Sequence, residues 1–191
     1  GRFLDTVTFG SSTFTSAGSY DIFVMRVTSA GAIDWAVQFG GMGADDVGGL
    51  ASDGAGGAFI VGDFEDTITF GSSSFTPGAA CDAYVLHLTS TGAFDWVIRV
   101  GGSGSGFSRG YDIAEDGFGG TFATGCFKGP TAAFGTTTLT CPDGYTTECP
   151  YVMHVDSAGV IQYAMKVDGV DGKGNSIALD SATGGPLVGG S

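Results

Sequence analysis

The sequence predicts an all-β fold in which one structural unit is repeated three times. Four glycines mark equivalent points of the repeat: Gly1, Gly62, Gly125 and Gly189. Subtraction gives periods of 61, 63 and 64 residues, and periods of this kind are typical of repeat architectures. Good helix formers are few, and no long stretch spaces its apolar residues at the helical period. Short alternating apolar runs separated by Gly, Ser and Asp clusters instead indicate strands joined by tight turns.

Each repeat contains four predicted strands. The first, which is weakly polar and rich in glycine, is predicted at 47–52, 110–115 and 174–179. The second is predicted at 58–64, 121–127 and 186–190, the third at 22–27, 83–88 and 151–155, and the fourth at 33–39, 94–100 and 161–167. A short β-excursion, whose first copy is TVTFGSSTFTS, separates the second strand from the third.

This pattern favours antiparallel, four-stranded β-propeller blades over a sandwich, because a sandwich does not explain the strict four-strand period. The glycine-rich first strand suits the crowded inner position of a blade. We therefore predict one propeller segment over residues 1–191, with units at about 1–61, 62–124 and 125–188, and 189–191 starting the next. Since propellers typically have about four to eight blades, this partial propeller is expected to belong to a longer array or to complete about six blades with a second copy.

The fourth strand carries an aromatic residue at one fixed place: Trp35, Trp96 and Tyr163. Strand alternation puts Val37 and Phe39 on the same face as Trp35. We therefore predict that these rings fill the space between stacked sheets rather than bind an aromatic ligand.

The composition restricts the class of partner. The 191 residues include 42% hydrophobic residues, enough to argue against disorder, and 36 glycines at fixed positions. Seven Lys and Arg against 20 Asp and Glu give a net charge of −13, which disfavours nucleic acid and anionic membrane surfaces as partners. No apolar run approaches the roughly 18–20 residues that span a bilayer, so membrane insertion is not expected.

Four cysteines are present, with no CxxC pair and with each of the two histidines one element away from the nearest cysteine, so a zinc site is not expected. Cys141 and Cys149 bracket CPDGYTTEC, a loop longer than its counterparts, and are predicted to form a disulfide. Cys81 and Cys126 are a candidate second pair. Either bridge would indicate an oxidising, extracytoplasmic compartment.

Two recurring polar positions have structural interpretations. Asp53 and Asp116 each precede Gly in a tight turn, where an aspartate commonly accepts hydrogen bonds from nearby amides. Arg26, His87 and His154 share one position on the third strand. We interpret them as polar partners for neighbouring acidic or carbonyl groups, against the alternative of a ring of ligand contacts.

The best candidate binding loop precedes the first strand. Asp46, Arg109 and Lys173 occupy one aligned position there, with Asp45 just before Asp46, and the charge changes while the surrounding residues stay alike. In a propeller this loop would open near the axial face, although a solvated charged loop is the alternative interpretation.

No GxSxG, HExxH, P-loop or EF-hand pattern is present, so the sequence predicts no catalytic, cofactor-binding or metal-binding residues.

Three stretches with their second copies resemble the SBBP repeat, the seven-bladed β-propeller repeat family of bacterial proteins: DIFVMRVTSAGAIDWAVQFGG, LASDGAGGAFIVGDF and TVTFGSSTFTSAG. The resemblance covers essentially the whole chain. The third copy departs from it, with Gln162-Tyr163 in place of Asp-Trp and Cys149-Pro150 in place of Asp-Ile or Asp-Ala. The resemblance implies a propeller in a large secreted or surface protein and implies no catalytic residues.

We therefore expect a non-catalytic structural or interaction module, extracellular or on the surface of a bacterial-type cell, that presents loops to a protein or glycan. Two alternatives stay open: a lyase or hydrolase with an axial site, and a calcium-stabilised carbohydrate-binding propeller. Clustered carboxylates with a basic partner in the axial channel would favour the enzyme, whereas an axis lined by Gly, Ser and Val would favour the scaffold.

Overall fold

The structure, a computed structural model, describes residues 1–102, 104, 106–142, 146–167 and 171–191. It contains strands and turns and no helix within these ranges. The strands are β1 (Arg2–Phe3), β2 (Thr6–Phe9), β3 (Ser12–Thr15), β4 (Asp21–Val27), β5 (Ile33–Phe39), β6 (Asp45–Ser52), β7 (Ala58–Phe64), β8 (Ile68–Phe70), β9 (Ser73–Phe75), β10 (Asp82–Leu88), β11 (Phe94–Gly102), β12 (Phe107–Glu115), β13 (Thr121–Lys128), β14 (Thr131–Phe134), β15 (Thr137–Thr140), β16 (Cys149–Val155), β17 (Ile161–Lys166), β18 (Gly174–Asp180) and β19 (Gly185–Gly190).

The prediction of an all-β fold is confirmed. Sheet 2 contains β6, β7, β10 and β11, and sheet 3 contains β12, β13, β16 and β17, each in that antiparallel order. Sheet 1 contains β1, β4 and β5, and sheet 4 contains only the hairpin β18–β19. No sheet closes on itself within the described ranges. The predicted strands are present, and the first strands of sheets 2 and 3 begin two to three residues earlier than predicted.

The hydrophobic core lies between the sheets, because each sheet buries its apolar faces against its neighbours. Ile22 and Val24 of sheet 1 share one buried cluster with Leu86 and Leu88 of sheet 2. A second cluster joins sheets 2 and 3, with Phe59, Val61 and Val85 on one side and Ala123, Met153 and Val155 on the other. A third, smaller cluster places Ile177 of sheet 4 against Phe122 and Val152 of sheet 3.

Glycine sets the spacing of the first strands. A side chain at Gly48 would collide with the backbone of Gly110, and one at Gly174 would collide with Thr124. The first strands therefore lie close to the neighbouring sheet at these glycines, where no larger side chain fits.

The excursion between the second and third strands folds into a short hairpin in every repeat: β2–β3, β8–β9 and β14–β15. β14 adds to the outer edge of β11, so the hairpin of the third repeat extends sheet 2. An isolated bridge between Gly41 and Ile68 makes the corresponding link between β8 and the end of β5. Each of these two hairpins thus joins its own repeat to the preceding sheet.

The last hairpin keeps the strand register of the other repeats, but its turn is one residue longer than theirs. Gly110 lies opposite Gly125 in sheet 3, whereas Gly174 lies opposite Gly190 in sheet 4. By hydrogen-bond register, Gly190 and not Gly189 is therefore the counterpart of Gly125. Val188 therefore stands opposite Ile177, as Ile60 stands opposite Leu50 and Ala123 opposite Ile113.

The predicted disulfide between Cys141 and Cys149 is confirmed; residues 143–145 of its loop lie outside the described residues. The bridge ties the end of the excursion to the start of β16. Aspartate makes the equivalent tie in the other repeats, since Asp21 accepts hydrogen bonds from the Ala17 amide and Asp82 accepts one from the Gly78 amide.

The candidate pair Cys81 and Cys126 does not form; both are free, buried thiols. Cys81 precedes β10 of sheet 2, and Cys126 lies on β13 of sheet 3. The Cys81 sulfur interacts with the Ser108 carbonyl, and the Cys126 sulfur lies 3.4 Å from the Tyr111 hydroxyl. The two thiols thus make separate contacts.

No helix in the described ranges is long and apolar enough to cross a membrane.

Trp35→Ala and Trp96→Ala are expected to destabilise the fold by about 2–3 kcal/mol each. Each indole donates a hydrogen bond to a turn carbonyl of the next sheet, Trp35 to Ser90 and Trp96 to Ser157. Tyr163→Ala is the matched control, because Tyr163 is exposed, and a cost below about 1 kcal/mol is expected there. Denaturant unfolding measures all three, and equal costs at the three positions would contradict the inter-sheet role.

Loss of the disulfide is expected to cost about 2.5 kcal/mol, because the bridge closes a nine-residue loop in the unfolded chain. Alkylation in denaturant without reductant should label two cysteines, and alkylation after reduction should label four. Intact mass measures the number of labels, and melting with and without reductant measures the stability. Four labels without reductant would contradict the bridge.

Candidate functional site

A cleft of about 390 Å³ opens where the first strands of sheets 2 and 3 begin, beside the end of β7. Its volume is within the usual range for small-ligand sites. Charged and small residues line it: Arg2, Ala44, Asp46, Val47, Gly48, Asp63, Glu65, Arg109, Gly110 and Tyr111. The glycines keep the strands close together, so charged side chains at the strand ends surround the opening.

Asp45 and Asp46 are adjacent in sequence and have opposite environments. Asp46 is partly exposed, and its carboxylate lies 2.6 Å from the Arg2 guanidinium. Asp45 is fully buried; one carboxylate oxygen accepts a 2.7 Å hydrogen bond from the Gly41 amide, and the other has no hydrogen-bond partner in the described structure. Burial raises the pKa of Asp45 to about 7, the Gly41 hydrogen bond opposes the rise, and nearby carboxylates add to it.

Asp63 and Arg109 face each other across the cleft, with 3.9 Å between the Asp63 carboxylate and the Arg109 Nε. Burial raises the pKa of Asp63 to about 6. The charge of Arg109 lowers the pKa, whereas the charges of Asp46 and Glu65 raise it. Asp63 can therefore change its protonation state near neutral pH, which an isolated exposed aspartate does not do.

Arg109 is held by several neighbours. Its guanidinium lies over the Phe107 ring, 4.6 Å from the centroid, and its Nε faces the Asp63 carboxylate. Burial raises the pKa of Cys81 to about 11 and that of Cys126 to about 11. Both thiols are therefore neutral at pH 7 and poorly suited to act as nucleophiles.

The predicted binding-loop residues are only partly brought together. Asp46 and Arg109 line the cleft, whereas Asp45 is buried and is not one of the lining residues. Lys173 lies outside it: its ammonium is 3.6 Å from Glu148 and 5.9 Å from the centre of the Tyr111 ring.

Sequence reasoning missed four cleft residues: Arg2, Asp63, Glu65 and Tyr111. A signal was present, because Arg2, Asp63 and Cys126 share one position at the end of the second strand and differ in charge. The same rule that selected Asp46 and Arg109 would have selected this position.

The recurring aspartates and the basic position of the third strand form a polar network at the opposite end of the sheets. The Asp53 carboxylate accepts hydrogen bonds from the amides of Ala55 and Gly57, as expected for a turn. Every residue at the shared third-strand position contacts a carboxylate: Arg26 with Asp34 at 3.4 Å, His87 with Asp53 and Asp95 at 3.0 Å each, and His154 with Asp116 at 2.8 Å. The interpretation of this position as a polar partner is confirmed.

Within the described part of the chain, no cluster of three or more His, Cys, Asp or Glu side chains could hold a metal ion.

No protein-family model and no curated protein sequence matches the chain.

Asp45→Asn is expected to raise the melting temperature at pH 8 by about 3–8 °C. The folded-state pKa of Asp45, about 7, is above the ordinary value of 3.8, so the fold favours the neutral carboxyl. The stability from this group is complete below about pH 4 and is lost as the pH rises through 7. The advantage of the variant should therefore grow between pH 4 and pH 7 and level off above.

Asp46→Asn is the matched control, because it removes the same charge at the adjacent, partly exposed position. Thermal melts across this pH range measure both variants. An Asp45→Asn advantage that does not change with pH would contradict a buried neutral carboxyl.

Proposed function

We propose that the chain is a non-catalytic interaction module, built of β-propeller repeats, in an extracellular or cell-surface protein of bacterial type. One observation carries the proposal: residues that stay alike between repeats serve the scaffold, whereas the first two repeats bring two positions of varying charge together at the cleft. Trp35, Trp96, Asp53 and Asp116 all make structural contacts. Asp46, Arg109, Arg2 and Asp63 surround the opening.

The propeller arrangement is part of this proposal. Sheets of four antiparallel strands stack face to face, and their glycine-rich first strands approach most closely. The outer strands are separated by indole rings and by the excursion hairpins. Sheets that converge at one edge and diverge at the other are arranged like blades around an axis, and the resemblance to SBBP repeats supports the same arrangement.

A protein or glycan is the proposed partner. The cleft offers carboxylates and guanidinium groups together with the Tyr111 ring, and such a mixture suits polar, hydrogen-bonding groups. The net charge of −13 argues against nucleic acid and against anionic membranes. A disulfide is compatible with an extracellular location.

Binding of the 191-residue protein to a glycan array and to immobilised bacterial surface proteins tests the proposal. Arg109→Gln together with Asp63→Asn is expected to weaken any specific binding at least tenfold. Arg26→Gln is the matched control, because Arg26 is an ion-paired arginine in the polar network, away from the cleft residues. Absence of specific binding, or equal binding by the cleft variant, would overturn the proposed binding role of the cleft.

A lyase or hydrolase is a second candidate, favoured by the clustered carboxylates beside Arg109. Asp63 has a pKa of about 6, raised first of all by burial, which suits a general acid or base near neutral pH. Release of reducing ends or unsaturated products from a polysaccharide panel tests this candidate. Activity in the wild type that disappears in Asp63→Asn, with unchanged melting, would favour the enzyme over the interaction module. Calcium-stabilised carbohydrate binding predicts a calcium-dependent melting temperature.

A further inference from the structure

A second cavity, of about 530 Å³, opens on sheet 2 where the excursion hairpin β14–β15 extends this sheet. The hairpin β8–β9 forms its other wall. The lining residues are Phe75, Arg99, Gly101, Gly102, Thr131, Ala133, Gly135 and Thr138. The cavity has no lining residue in common with the charged cleft, and its volume is within the usual range for small-ligand sites. It is therefore a separate candidate binding site.

A buried carboxylate lies directly behind the floor of this cavity. A Cβ at Gly101 would collide with the Asp82 carboxylate, so glycine at this lining position leaves room for it. Asp82 is fully buried, and its Oδ2 accepts hydrogen bonds from the Gly78 amide and from the Arg99 Nε. Its Oδ1 has no hydrogen-bond partner in the described structure. The floor therefore contains an acceptor that the fold itself does not use.

Arg99 offers hydrogen-bond donors to the cavity. Asp82 holds the guanidinium by its Nε, and no other hydrogen bond of the Arg99 side chain is present among the described residues. The counterpart of Arg99 in the first repeat is Gln38. The Gln38 amide donates to the Thr15 carbonyl and to Asp21. The first repeat thus uses these donors within the fold, whereas the second repeat keeps the terminal guanidinium nitrogens for another acceptor.

The chemistry of the lining favours a neutral ligand rich in hydroxyl groups. Because Asp82 neutralises Arg99, an ion of either sign gains little net attraction. Thr131 and Thr138 are exposed, and their hydroxyls can both donate and accept hydrogen bonds. Phe75 is half-buried and offers a flat apolar surface, whose negative face attracts polarised C–H groups. A sugar ring combines these features, since it has hydroxyls at its edge and C–H groups on its faces.

We propose that this cavity binds a neutral saccharide unit. The terminal nitrogens of Arg99 donate hydrogen bonds to sugar oxygens, the hydroxyls of Thr131 and Thr138 bind sugar hydroxyls, and Phe75 packs against one face of the ring. Asp82 is a positioning residue, because it is buried and holds Arg99 by the Nε. The inference does not rest on the proposed role of the cleft, since the two sites are built from different residues.

Saturation-transfer NMR on the purified 191-residue protein tests the proposal. The probes are the methyl glycosides of glucose, mannose and galactose, N-acetylglucosamine, and glucuronate as the charged comparison. At least one neutral sugar should receive saturation, and more than glucuronate does. Thr138→Trp should weaken its binding about tenfold, because the indole fills the cavity. Thr140→Trp is the matched control, because Thr140 is also exposed on β15 and is not a lining residue.

A second pair of variants tests the ring contact. Phe75→Leu keeps an apolar side chain but lacks the flat ring, so binding should weaken about fivefold, whereas Phe75→Tyr should retain it. Thermal melting of each variant separates loss of binding from loss of the fold.

Saturation of none of the neutral sugars, or equal binding by Thr138→Trp and Thr140→Trp, would overturn the cavity site. A preference for glucuronate would overturn the neutral class of ligand. Arg109→Gln together with Asp63→Asn should leave sugar binding unchanged, so failure of the cavity site is distinguishable from failure of the proposed cleft function.

Discussion

The close approach of the first strands is the constraint on which the rest of the structure depends. At Gly48, Gly110 and Gly174, an added Cβ would collide with atoms of the neighbouring sheet. The outer strands are held apart, because Trp35 and Trp96 lie between the fourth strand of one sheet and a turn of the next. The first strands are therefore in close contact, and the two indole rings link the fourth strands of sheets 1 and 2 to the sheets that follow them.

The excursion hairpin is fixed to the start of the third strand in all three repeats, although the residues that fix it differ. The excursion hairpin must be fixed to the start of the third strand, because it also extends the preceding sheet. Hydrogen bonds to Asp21 and Asp82 fix it in two repeats, and Arg99 neutralises the charge of buried Asp82. In the third repeat the longer loop is fixed by the covalent bond between Cys141 and Cys149. A covalent tie buries no charge and therefore requires no counter-ion in the interior.

The strand order within each sheet could be predicted because alternation, turn residues and period all point to the same four strands. The sheet extension by β14 could not be predicted, since short polar strands carry little pattern and their partner lies in another repeat. For the cleft, charge variation identified Asp46 and Arg109. The position of Asp63 could have been found by the same rule, but its raised pKa could not, because burial and the charges of other residues cause it. Such effects depend on packing between sheets, which sequence periodicity does not specify.

The position of the cleft follows from the same glycine constraint. Where the first strands are in backbone contact, side chains larger than hydrogen are excluded. The charged side chains Asp46 and Arg109 stand where first strands begin, and Asp63 stands near the end of a second strand. These places lie outside the close contact between sheets, so their charge can change from repeat to repeat at little cost to the fold. The cleft thus combines charged residues of the first two repeats, Arg2 and Asp46 from one and Asp63 and Arg109 from the other.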